Sequence, residues 1–100
     1  MPCEAFGVAG LLFRSAPLHY VYLLVTQESP SERYIGVTSD LRARLAEHNS
    51  GKSPHTAKSG PWKVVTYVAF SERPQAEAFE KYLISGSGHA FARKRLWPSV

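Results

Sequence analysis

Five polar side chains in this chain have types and spacings that chemistry could use. Tyr22 and Tyr34 lie twelve positions apart, Arg44 follows Tyr34 by ten, His48 comes one helical turn after Arg44, and Glu80 stands in a later apolar segment. An arginine carries a permanent charge and a planar fork of donors that matches phosphate oxygens. A carboxylate suits a hard divalent cation. A phenol, with an ordinary pKa of about 10, is a poor base at neutral pH unless positive charge stands close to it. An imidazole can contact phosphate or relay a proton. Each also has an ordinary reading. Strand tyrosines are commonly amphipathic core residues. A helical arginine or glutamate is commonly a solvated charge, and a histidine in a last helical turn is favoured by the helix dipole. Arg42 and Glu77 compete with Arg44 and Glu80; spacing favours Arg44, and the neighbouring Phe79 favours Glu80.

The elements that must position these residues follow from local pattern. His19 to Thr26, HYVYLLVT, is dense in aromatic and β-branched residues and predicts a strand. Gln27 to Glu32 is a turn, and Arg33 to Thr38 a second strand, so the two form a hairpin with an irregular loop. Ser39 or Asp40 caps a helix from Leu41 to about Asn49, with Leu41 and Leu45 inward and Arg44 and His48 together on an adjoining face. Gly51 suits a left-handed helix end. The polar stretch Lys52 to Pro61 is a loop. Trp62 to Phe70, WKVVTYVAF, is a third strand whose continuous apolar run predicts a central place in the sheet. A second helix opens near Ser71, tolerates Pro74 in its first turn and runs to about Ile84, burying Ala76, Phe79 and Leu83 with Glu80 beside them. Gly86 and Gly88 break it, and Ala90 to Trp97 forms a short last helix with Phe91 and Leu96 inward and Arg93, Lys94 and Arg95 outward. Gly36, inside a strand, predicts a bulge or a close backbone approach. The order is β-β-α-β-α-α, an α/β (α+β) fold with a three-stranded, largely antiparallel sheet flanked by helices.

Composition sets the outer bounds. One hundred residues, 44% hydrophobic and 20% charged, make one soluble-type domain. Twelve Lys and Arg against eight Asp and Glu leave a net charge of +4, which favours polyanionic partners. Cys3 is the single cysteine, so neither an intrachain disulfide nor a cysteine zinc site can form, and a reducing, cytoplasmic setting is the expectation. Ala5 to Phe13 is mostly apolar, but Glu4 stands where a signal peptide carries positive charge and Arg14 interrupts the run, which is too short to span a membrane. The expected division is an N-terminal extension over 1–18, a domain over 19–97 and a tail over 98–100.

At the residues singled out above, the chain resembles the GIY-YIG nuclease superfamily. The second signature is literal, Tyr34-Ile35-Gly36; the first is degenerate, with Tyr20-Val21-Tyr22 where Gly-Ile-Tyr would stand. Arg44 falls where the family carries its helical arginine, followed by Glu47-His48-Asn49-Ser50-Gly51, and Glu80 sits in Ala78-Phe79-Glu80-Lys81-Tyr82-Leu83 where the family carries its metal-binding glutamate. The likeness runs from Tyr20 to about Leu96 and is closest to small, single-domain members. It implies a metal-dependent endonuclease-type domain that hydrolyses DNA phosphodiester bonds, in DNA repair or processing. Tyr22, Tyr34, Arg44 and His48 are implied as the catalytic set, and Glu80 as the ligand of one Mg2+ or Mn2+ ion. Such hydrolysis needs an in-line nucleophile, neutralised phosphoryl charge and help for the leaving group. Tyr22 would position the water or take its proton, Arg44 would hold the phosphate, and Tyr34 would bond the water or a phosphate oxygen.

Lys52, His55, Lys58 and Lys63 form a basic, loop-borne group suited to phosphates, and Arg93, Lys94 and Arg95 are either a second basic patch or a charged helix face. Nucleic acid, DNA first, is the expected partner, with no membrane; a protein partner or a homodimer stays open. The alternative function is a catalytically weak or inert nucleic-acid-binding module of the same fold. It draws on the worn first signature and on the lack of a counterpart to the late asparagine of some family members.

Overall fold

A computed structural model of the chain describes residues 17–27, 32–52, 56 and 60–98. Three strands, β1 (His19–Thr26), β2 (Arg33–Thr38) and β3 (Trp62–Phe70), alternate with three helices, α1 (Leu41–Ser50), α2 (Arg73–Ile84) and α3 (Gly86–Arg95), in the order β-β-α-β-α-α. The sheet is antiparallel with order β2-β1-β3. The central strand is therefore β1, and the expected central place of β3 is corrected. Residues 21–26 of β1 are all buried, because ladders on both edges and helices on both faces enclose them. In β3 the burial falls off along the strand, and Tyr67 is 54% exposed.

Side-chain alternation splits the core in two. On one face Val21, Leu23 and Val25 pack with Ala76 and Leu83 of α2, Ala92 of α3 and Trp97. On the other, Tyr22, Leu24 and Trp62 pack with Tyr34, Val64 and the Leu41–Leu45 stripe of α1. Each face buries what its helices offer, so a one-residue slip of β1 would exchange the two sets.

The helix ends are well specified. Asp40 caps α1, its Oδ1 accepting from the Ala43 N–H at 3.1 Å. Gly51 closes α1 in the left-handed region at φ 83°. The Asn49 side-chain amide then ties α1 to β3, donating to the Trp62 carbonyl at 3.0 Å and accepting from its N–H at 2.6 Å. Pro74 sits in the first turn of α2 as expected.

The last helix departs from expectation. It begins at Gly86, immediately after Ser85, so the glycines open α3 instead of separating it from α2 by a loop. A Cβ on Gly88 would overlap the Tyr82 carbonyl, so only glycine lets α3 approach α2 this closely. That approach sets the helix phase. Ala92 is fully buried, while Phe91, expected inward, is 40% exposed, and Leu96 is half-buried.

Candidate active site

Tyr22 enters the site from the middle of the sheet. It lies directly opposite Gly36 on β2, and residues paired in this way share a face. The missing side chain at Gly36 is the space the Tyr22 ring occupies: a Cβ there would stand 2.5 Å from Tyr22 Oη and 2.7 Å from Cζ. The expected close approach at Gly36 is thus one of side chain on backbone. Tyr34, two residues earlier on β2 and on the same face, places its ring 6.2 Å from that of Tyr22 and 4.9 Å from the His48 ring.

From α1, Arg44 and His48 converge on the Tyr22 hydroxyl. Arg44 Nε donates to Oη at 3.3 Å, and His48 Nε2 lies 2.9 Å from it. Arg44 is braced on its solvent side by Glu47, Nη1 to Oε1 at 2.7 Å. His48 is no exposed helix-end cation; it is 1% exposed, and its Nδ1 lies 2.6 Å from Thr56 Oγ1. Burial, and then the neighbouring Arg44 charge, hold the imidazole below its ordinary pKa. Burial raises the Tyr22 phenol above its ordinary value, and the Arg44 hydrogen bond pulls the other way without overcoming it. At neutral pH the pair is a neutral phenol against a neutral imidazole.

Glu80 reaches the same place from α2. Tyr22, Tyr34, Gly36, Arg44 and Glu80 line one predominantly polar cavity of about 400 Å³, together with Val37, Arg73, Glu77 and Lys81. The Glu80 carboxyl is raised from its ordinary value by burial first and by the Glu77 charge second. Glu77 itself is paired with Arg73 at 2.9 Å.

The structure therefore brings Tyr22, Tyr34, Arg44 and Glu80 to one cavity, with His48 behind it. Of the expected basic loop group, neither described member, Lys52 nor Lys63, lines it. Lys52 is exposed just past the end of α1. Lys63 pairs with Val25, whose side chain belongs to the opposite face from Tyr22, so it projects away from the cavity. His55 and Lys58 lie outside the described residues. The basic groups that do line the cavity besides Arg44 are Arg73 and Lys81. They had a legible signal, since Arg73, Glu77 and Lys81 repeat every four residues along one face of α2. Thr56, set in a polar loop, had none.

A tyrosine-lined cavity at the edge of a small antiparallel sheet, with an arginine fork and a carboxylate from helices on its two faces, defines a nuclease-type α+β domain. The chain belongs to the GIY-YIG family: residues 18–94 match the GIY-YIG catalytic domain. Among its relatives, a UPF0213 protein of Cupriavidus pinatubonensis is 35% identical over 85 residues, 81% of this chain and 92% of that one. A UPF0213 protein of Streptococcus pneumoniae serotype 4 is 36% identical over 66 residues, 65% of this chain and 67% of that one. A structure-specific endonuclease subunit SLX1 homolog of Giardia intestinalis is 35% identical over 65 residues, 61% of this chain but only 18% of that protein. No solved structure matches the chain significantly.

Proposed function

We propose that this domain hydrolyses nucleic-acid phosphodiester bonds as a metal-dependent endonuclease, with DNA as its substrate. The observation that carries this reading is the convergence of Tyr22, Tyr34, Arg44 and Glu80 from four separate elements on one cavity of about 400 Å³. The word "endonuclease" in the Giardia relative's name supports a role in DNA processing or repair, and the word "subunit" supports a protein partner.

The donor set suits one hard divalent ion. Among the described residues no group of three or more His, Cys, Asp or Glu forms a protein cage. Magnesium needs none, because it keeps several waters and binds through one or two carboxylates plus substrate oxygens. Glu80, whose ionised form is disfavoured by burial and by Glu77, gains from a cation beside it, and it would hold the ion with Glu77 close by. Mg2+ or Mn2+ bound there supplies a Lewis acid for the phosphoryl charge.

The chain's own residues do the rest. Arg44, with Nε on Tyr22 and Nη1 on Glu47, keeps donors free for a phosphoryl oxygen at the cavity mouth. Tyr34 directs its hydroxyl group to the water or to a second oxygen. As the water attacks phosphorus, its proton passes to Tyr22 Oη and the phenolic proton passes to His48 Nε2. This order avoids a free phenolate, which burial disfavours, and uses the lone pair of an imidazole that burial keeps neutral. The phosphorus–oxygen bond to the leaving strand end then breaks, its oxygen taking a proton from solvent, and His48 returns its proton to solvent through Tyr22 before the next turnover. Arg73 and Lys81 attract the flanking phosphates.

The test is plasmid nicking with magnesium, comparing the protein with Glu80→Ala. The expected outcome is magnesium-dependent nicking lost in the variant and abolished by chelator. Equal nicking by both proteins would show a contaminant and overturn the reading; binding with no cleavage on any substrate would replace it with the inert-module alternative.

A further inference from the structure

Behind the cavity lies a second set of contacts that the reading above does not use. Thr56 is 1% exposed, and its Oγ1 meets His48 Nδ1 at 2.6 Å, on the far side of the imidazole from Tyr22. Thr56 is itself held. The Trp62 indole Nε1 donates to its carbonyl at 3.2 Å, and the Trp62 backbone is clamped by both ends of the Asn49 amide. A continuous hydrogen-bonded path thus runs from the exposed Asn49 through the buried Trp62, Thr56 and His48 to Tyr22.

We infer that Thr56 is a positioning residue that fixes the tautomer and ring orientation of His48 so that Nε2 faces Tyr22 as a bare acceptor. The inference rests on the proton path proposed above. The hydrogen count gives the direction. Arg44 Nε–H already donates to Tyr22 Oη, and the one acceptor in contact with that buried hydroxyl, among the described residues, is His48 Nε2. If Nε2 carried the hydrogen, two donors would crowd Oη and the phenolic proton would lose its one protein acceptor among the described residues. So the phenol donates to Nε2, Nδ1 carries the imidazole hydrogen, and Thr56 Oγ1 accepts it. A hydroxyl suits this place because its own hydrogen can rotate away, leaving a lone pair for Nδ1. A proton arriving at Nε2 then gives an imidazolium whose Nδ1–H is still satisfied.

The closing experiment reads the tautomer directly, by long-range nitrogen–proton NMR of the 15N-labelled protein, beside nicking kinetics. Wild type and Thr56→Ser are expected to show a single Nδ1–H tautomer at His48, with nicking rates within about twofold of each other. Thr56→Val keeps the shape without the hydroxyl. It is expected to give a mixed or reversed tautomer and a roughly tenfold lower kcat at unchanged KM. A wild-type Nε2–H tautomer, or an unchanged tautomer in Thr56→Val, overturns the inference. If Thr56→Val fails to fold, Thr56→Ser decides, because loss of the Nδ1–H tautomer in a variant that keeps the hydroxyl also overturns it. A Thr56-dependent tautomer in a protein that nicks nothing supports the positioning and overturns the nuclease reading, so the two failures are distinct.

Discussion

Gly36→Ala tests the packing on which the cavity depends. The new Cβ would lie 2.5 Å from Tyr22 Oη, 2.7 Å from Cζ and 3.0 Å from Tyr34 Cε2. Comfortable contact between such atoms is about 3.5 Å, so the Tyr22 ring must move by about 1 Å. The ring cannot yield freely, since it is 1% exposed in a packed core. A movement of that size stretches the 2.9 Å contact with His48 and the 3.3 Å contact with Arg44 beyond useful hydrogen-bond length. Overpacking of this kind costs about 1–3 kcal/mol, which lowers the melting temperature of a domain this size by roughly 5–20 °C. The misplacement costs more in rate, about 100-fold. The assay is plasmid nicking well below the melting temperature, with Gly51→Ala as the matched control. Gly51 sits at φ 83° with nothing near its Cβ position, so that change introduces backbone strain of about 1 kcal/mol without touching Tyr22. Nicking by Gly36→Ala within a few-fold of Gly51→Ala would refute the argument that the missing side chain makes room for the tyrosine.

Two further outcomes follow from the same geometry. Metal-free Glu80→Gln should melt higher than wild type at neutral pH. The raised carboxyl of Glu80 contributes its stability below its unfolded pKa of about 4.3 and loses it as pH rises through the folded value, so the difference should vanish in acid. Magnesium should then raise the melting temperature of wild type and leave Glu80→Gln unmoved; a variant less stable than wild type at neutral pH contradicts this. Asp40→Ala removes the α1 cap and should cost about 1 kcal/mol, seen as a melting shift of roughly 4–8 °C. Nicking at low temperature should survive, because Asp40 does not line the cavity; a loss of rate without a loss of stability would contradict that placement.

What the sequence by itself determined is local. The ends of β1, β2 and β3 follow from β-branched and aromatic runs bounded by turn residues, and the α1 ends from the Ser39–Asp40 pair, of which the structure uses Asp40, and from Gly51. Tyr34, Arg44 and Glu80 could be picked out because type and spacing along one chain carry the family's pattern. Three matters waited for the tertiary structure. Strand order depends on which strand finds ladder partners on both edges, so the apolar run of β3 could not reveal that β1 takes the centre. The phase of α3 depends on how closely Gly88 lets it approach α2, which turns Ala92 inward and leaves Phe91 outside. The surroundings of His48 include Thr56, eight residues away in a stretch without pattern. In the sequence His48 reads equally as a helix-end cation or as a member of the catalytic set; only the fold shows it buried between Thr56 and Tyr22, where burial lowers its pKa.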